Sequence, residues 1–194
     1  FTHKLDAGTG NITLEAITQG VEGRLVVTSA NDVTINGALH KGAFHQNAGT
    51  GHTRLLGQLD LTAKGADGGL DFTGNDLSLE YVGTNAVADR VAVNNAGTFT
   101  TAAGADLSVA GSVQQSGAGA SDLGGDITLT DAGVIDFATQ VTLRDAVVLT
   151  TNGAADDDIT IGTDDTTDLR DASGTLTLNA GTSGDVTVNG DVGS

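Results

Sequence analysis

The sequence lacks several residue types on which most folded domains depend. It has no cysteine, proline, methionine or tryptophan, and it contains only five phenylalanines and one tyrosine among 194 residues. The absence of cysteine excludes disulfide bonds. Large aromatic side chains bury the most area per residue, so an interior without them has to be built from valine, isoleucine, leucine and alanine. These side chains suit a thin, uniform core better than a large globular one.

Positive charge is also scarce. Eight Lys and Arg residues face 25 Asp and Glu residues, which gives a formal net charge of −17. The eight cations are scattered along the sequence, so the clustered positive charge that binds phosphates is missing. Nucleic acid and anionic membrane surfaces are therefore not expected as partners. Such an acidic chain suits solubility, repulsion between neighbouring molecules and loose binding of divalent cations.

Neither a membrane span nor a leader sequence is visible. No apolar run approaches the ~20 residues that cross a bilayer. The sequence begins at Phe1 without a signal peptide or an initiator methionine. We therefore expect an excerpt from a longer protein, without insertion into a membrane.

One short phrase recurs along the whole chain: an apolar residue, threonine or another small polar residue, a second apolar residue, and then Gly, Ala or Asn. Alternation at period two predicts short strands with one buried face and one wet face. Such strands cannot each build a core alone, but stacked coils share one. The phrase occurs at Ile12–Leu14, Val33–Ile35, Leu59–Leu61, Leu77–Leu79, Ile127–Leu129, Val141–Leu143, Ile159–Ile161, Leu176–Leu178 and Val186–Val188.

This pattern predicts an all-β fold, a single continuous parallel β-solenoid over residues 1–194. The phrases recur about every 10 to 25 residues, which fits coils of about 20 residues and about nine or ten coils, open at both ends. At longer range, Asp6 to Leu14 resembles Asn179 to Val188, which begins 173 residues later (179 − 6). We expect slightly more than one copy of a super-repeat of this length, with further coils on both sides.

Several segments resemble the repeats of giant bacterial surface proteins related to filamentous haemagglutinins and other large adhesins. The resemblance covers nearly the whole chain and is clearest in Phe137–Leu143, Asp158–Ile161, Leu176–Gly181 and Gly184–Gly190. It implies a right-handed parallel β-helix, secretion, and a role in attachment or in building a cell-surface fibre. It supplies no catalytic residues and no cofactor.

Acidic turns in the last quarter of the chain are candidate calcium ligands. Calcium takes about six to eight oxygen ligands, and stacked turns of a solenoid can bring carboxylates of adjacent coils together. Solvated turns of an acidic protein are the plainer interpretation of the same residues. The candidate ligands are Asp156, Asp157, Asp158, Asp164 and Asp165, with Asp168 and Asp171 nearby.

Other polar residues point to chemistry less clearly. His40, His45 and His52 are spaced more widely than the histidine pairs of most metal sites, so we interpret them as polar loop residues. Neighbours such as Asp89 and Arg90 point to opposite faces of a strand, so we expect no catalytic pair and no enzyme. The outward threonines are typical of the wet face of a sheet, although regular threonine ladders also occur in ice-binding proteins.

The expected function is that of a structural and adhesive segment of a giant secreted surface protein that forms a stiff extracellular fibre or matrix. Two alternatives are a carbohydrate- or cell-binding adhesin module and, less favoured, a polysaccharide-processing β-helix enzyme. Both would use aromatic stacking platforms, of which the sequence offers only Tyr81 and five phenylalanines. The expected partners are further copies of the same repeat, end to end or laterally, and cell-surface glycans. The expected location is extracellular, at the cell surface.

Overall fold

The computed structural model describes residues 1–18, 22–153, 156–163, 169–171 and 174–193. Within these residues the regular secondary structure is 24 short β-strands and no helix. The strands belong to three sheets, here named sheets A, B and C.

Sheet A has nine strands, which are, in spatial order, β1 (Thr2–Asp6), β3 (Arg24–Ser29), β6 (Ala43–Gln46), β9 (Gly69–Gly74), β12 (Val91–Asn95), β15 (Val113–Gln115), β18 (Ile135–Phe137), β21 (Ile159–Ile161) and β24 (Val186–Val188). Sheet B has eight strands, which are β2 (Ile12–Leu14), β4 (Val33–Ile35), β7 (His52–Leu55), β10 (Asp76–Leu79), β13 (Phe99–Thr101), β16 (Ser121–Leu123), β19 (Val141–Leu143) and β22 (Leu169–Asp171). Sheet C has seven strands, which are β5 (Leu39–Lys41), β8 (Leu59–Leu61), β11 (Gly83–Val87), β14 (Ala105–Val109), β17 (Ile127–Leu129), β20 (Val147–Thr150) and β23 (Leu176–Asn179).

The chain visits sheets A, B and C in turn, and one such round is one coil. Strands β12, β13 and β14, for example, form a coil, and each pairs in parallel with the matching strand of the preceding and next coils. The register is continuous, since Leu70, Val91, Val113 and Ile135 are successive partners in sheet A. The predicted all-β parallel solenoid is thus confirmed.

The coils are fewer and longer than the sequence analysis suggested. Seven complete three-stranded coils, from β3–β5 to β21–β23, lie between two partial coils, and not about nine or ten coils of about 20 residues. Register partners lie 19 residues apart between Leu25 and Phe44 (44 − 25) and 27 apart between Ile159 and Val186 (186 − 159). Three strands and three turns need this length, whereas the phrase spacing often measured only part of a coil.

The core is one narrow column that runs along the solenoid axis. In β17, Ile127 and Leu129 are buried while Thr128 is exposed, and the same alternation recurs in most strands. The inward side chains of all three sheets join in a single cluster that is almost wholly aliphatic. Because successive coils share this column, no coil closes a core of its own.

The inward assignment makes a matched pair of substitutions informative. Ile127→Asp places an unpaired carboxylate between Leu107 and Leu149 and should lower the free energy of unfolding by more than about 4 kcal/mol. Thr128→Asp adds the same charge on the exposed side of the same strand and should change it by less than about 1 kcal/mol. Urea unfolding followed by circular dichroism measures both. Equal effects of the two variants would contradict the assignment of faces.

Candidate functional site

Acidic side chains hold the coils together where strands begin. Asp76 Oδ1 accepts a hydrogen bond of 2.7 Å from Thr98 N in the next coil. A Cβ atom on Gly97 would lie 2.1 Å from that carboxylate oxygen, so this position requires glycine. Asp32 repeats the arrangement with the coil above it, and Gly51 takes the part of Gly97.

The same type of bond joins further pairs of coils. Asp106 Oδ1 accepts from Asp126 N at 3.0 Å, and Asp126 Oδ1 in turn accepts from Val148 N at 2.8 Å. Asp158 Oδ1 accepts from Asp185 N at 2.8 Å. Part of the acidity of this chain therefore caps backbone N–H groups, and the sequence analysis did not foresee this use.

The candidate calcium ligands are only partly covered by the structure, because Asp164 and Asp165 lie outside the described residues. Asp157 is buried, and its Oδ1 accepts a hydrogen bond of 2.9 Å from a backbone N–H of the preceding coil. Asp158 is engaged as described above, and Asp156 is exposed with a φ of 68°. In the part of the chain that the structure describes, no three His, Asp or Glu side chains are grouped to hold a metal ion. The calcium site stays a prediction.

The three neighbouring histidines are not loop residues, and that interpretation is wrong. His40 lies in β5 on sheet C, His45 in β6 on sheet A and His52 in β7 on sheet B. Their rings contact polar side chains of the next coil at 3.0, 3.5 and 2.6 Å respectively. Because they sit on three different faces, the structure does not bring them together.

Basic side chains on the outer surface link one coil to the next. Arg90 Nη2 lies 2.6 Å from Asp71 Oδ2, and Arg90 Nη1 lies 3.7 Å from Asp89 Oδ2. Arg144 contacts Asp122 in the preceding coil, and this hydrogen bond raises the pKa of Arg144. These pairs cross-link strands that are far apart in sequence.

Two acidic groups have shifted pKa values of opposite sign. Arg54 binds Glu80 through two hydrogen bonds, Nε to Oε1 at 2.8 Å and Nη2 to Oε2 at 3.0 Å. This hydrogen bonding lowers the pKa of Glu80, although burial opposes the shift, and it raises the pKa of Arg54. Asp136, in β18, has a raised pKa because burial disfavours its charged form. Acid therefore weakens one contribution and strengthens the other.

A buried amide network fills the corner between sheets A and B. Gln115 Nε2 lies 2.7 Å from Asn95 Oδ1, 2.9 Å from Gly117 O and 2.8 Å from Gly119 O, and donates to them. Both amide side chains are 1% exposed. Period-two alternation in Val113–Gln115 already places Gln115 inward, so the sequence held a signal for this network that polarity alone concealed.

The outer surface offers shallow grooves with little aromatic character. One groove of about 560 Å³ follows the corner between sheets A and B and is lined by Ala, Gly, Thr and Asn residues. Four of the five phenylalanines are buried in the core; Phe1 is fully exposed at the first strand, and Tyr81 is half-buried. A sugar ring would find few platforms for stacking here.

The outward threonines do not form a long ladder. On sheet B the outward column starts with Thr13 and Thr34 and continues with Arg54 and Ser78. The interruption by a long charged side chain removes the flat repeat that an ice-binding face needs. Threonine here fits the wet face of a sheet.

The described part of the chain contains no helix with the length and hydrophobicity of a membrane span. No protein-family model matches the chain, and no characterised protein or solved structure matches it either. What stands on its own coordinates is a repetitive parallel β-solenoid.

The opposite pKa shifts predict opposite pH effects for two neutral substitutions. A lowered pKa in the folded state stabilises the protein above the unfolded value of about 4.3, and this is lost as the pH falls. Glu80→Gln should therefore be less stable than the parent at pH 7 by about 0.5 to 1 kcal/mol, because the pair is partly exposed. The difference should shrink toward pH 3.

Asp136→Asn should behave in the reverse way. Its parent carboxylate is ionised and partly buried at pH 7, so the variant should be the more stable protein there, and the advantage should vanish once the pH falls below about 4. Urea unfolding midpoints of the parent and both variants at pH 7 and pH 3 measure these differences. Differences that do not change with pH would contradict the assigned causes.

The amide network gives a further matched pair. Gln115→Leu keeps the volume of the side chain but leaves buried carbonyl groups without a donor, which should cost about 2 to 4 kcal/mol of unfolding free energy. Gln114→Leu changes the exposed neighbour and should cost less than about 0.5 kcal/mol. Thermal and urea unfolding test both, and a neutral Gln115→Leu would remove the network as a source of stability.

Proposed function

We propose that this chain is a structural and adhesive segment of a giant secreted bacterial surface protein, where it forms part of a stiff extracellular fibre or matrix. The observation that carries the proposal is the unbroken aliphatic column shared by successive coils. A core that extends by addition of coils suits a function that depends on length. The resemblance of the repeats to those of filamentous haemagglutinin-like adhesins points the same way.

The surface chemistry supports a spacer over an enzyme or a glycan receptor. Aromatic platforms are scarce on the outer faces, as described above, and charged side chains pair between coils instead of converging in a cleft. Arg54 with Glu80 and Arg90 with Asp71 are such pairs. Their chemistry is that of cross-links on a rod.

The acidity of the chain also fits a fibre. Net charge of one sign keeps neighbouring molecules apart and soluble, and the absence of cysteine suits a secreted bacterial protein that relies on repetitive packing. In this setting the partners are further copies of the repeat, end to end or side by side. Cell-surface glycans are the partners of the adhesive role.

Antibodies raised against the purified segment test the proposal. Immunogold electron microscopy of the source cells should label thin fibres of uniform width at the cell surface or in the surrounding matrix. If the super-repeat of about 173 residues exists, label should recur at regular axial intervals. Antibody absorbed with the purified segment is the control. Label confined to the cell interior would overturn the proposal.

A further inference from the structure

Side-chain caps between coils have a preferred direction. In the described residues, eight side chains accept a hydrogen bond from a backbone N–H of the next coil. Two accept from the preceding coil. The eight that face the next coil are Asn11, Asp32, Asp76, Thr101, Asp106, Ser112, Asp126 and Asp158.

The donors of these bonds lie mostly where strands begin. Thr98 directly precedes β13, Asp126 directly precedes β17, and Asp185 directly precedes β24. Parallel geometry turns the N–H of such residues toward the preceding coil, as Gly97 N to Asn75 O also shows. Each cap therefore fixes which residue of the next coil starts its strand.

The two caps that face the preceding coil differ in setting. Asn85 Oδ1 accepts from Leu59 N at 3.0 Å, and Asp157 Oδ1 accepts from Gly133 N at 2.9 Å. Both acceptor side chains are 1% exposed. A polar group so deeply buried is enclosed only when both coils are in place, so these bonds consolidate a finished pair of coils.

The two partners of a cap differ in the information they carry. A backbone N–H is present at every residue except proline, so it does not specify a register by itself. A side-chain acceptor stands at one chosen position. A coil that is already folded and carries the acceptor therefore selects one residue of the coil that follows, and the opposite order lacks this selection.

We propose that coil formation in this protein is vectorial: each completed coil sets the register of the next through its side-chain acceptors, so folding runs from the first coil to the last. The variation in coil length, from 19 to 27 residues between partners, makes such a device necessary. A following segment could otherwise pair one or two residues out of register. This inference does not rest on the proposed function.

Hydrogen exchange of the full chain tests the native state. Asp76→Ala removes the cap on Thr98, so amide exchange in β13 should become about five- to tenfold faster. Exchange in β7, which flanks β10 on its other side, should stay unchanged. Asp76→Asn keeps an acceptor oxygen and should restore the parent rate in β13. Equal acceleration of β7 and β13, or no rescue by Asn, would overturn the directional role.

Pulse-labelled exchange during refolding tests the order itself. Sheet A strands should gain protection in the order β3, β9, β15 and β21, and Asp76→Ala should delay the strands after β10 but not those before it. Asp145→Ala is the control for the loss of one charge, since Asp145 caps Ala146 within its own coil. Protection that appears first in the later coils, or a delay spread evenly over all coils, would contradict the proposal.

Discussion

Each coil of this protein depends on its two neighbours for its backbone hydrogen bonds. Leu77 N donates to Thr98 O in the next coil, whereas Glu80 N donates to Leu55 O in the preceding one. A single coil has short strands that pair only outside it, and unpaired N–H and C=O groups are costly when they are buried. Stability therefore belongs to the stack, as does the aliphatic column inside it.

This dependence determines where polar groups are tolerated inside the solenoid. The midpoints of the sheets carry aliphatic side chains such as Ile127 and Val113, which match the same kind of residue above and below. At the corners the backbone turns and leaves carbonyl groups pointing inward, and Gln115 meets two of them. A buried amide is thus favourable at a corner and would be unfavourable at the centre of a sheet.

The sequence predicted the faces of the strands well and the partners of the side chains poorly. Alternation in Ile127–Leu129 gives the buried and exposed faces directly, because it depends only on neighbouring residues. The cap from Asp76 to Thr98 depends on which residue lies one coil later, and coil length varies along the chain. The same variation concealed the contact between His45 and Asp71 and made the coil count too high. Of the candidate calcium ligands, Asp157 and Asp158 bind backbone N–H groups, an alternative use of carboxylates that composition cannot distinguish.

Charge is distributed unevenly along the axis, and this bears on how such rods meet. Residues 1–64 contain five Lys or Arg and five Asp or Glu residues, whereas residues 65–194 contain three and twenty, so the whole net charge of −17 falls in the later coils. Within a chain, the resulting repulsion between coils is opposed by caps, by ion pairs such as Arg90 with Asp71, and by the covalent connection itself. Between chains nothing of this kind opposes it, and at physiological salt it acts over about 8 Å, the distance of near contact. In the proposed fibre the acidity therefore hinders lateral aggregation of exposed sheet faces while leaving axial stacking intact.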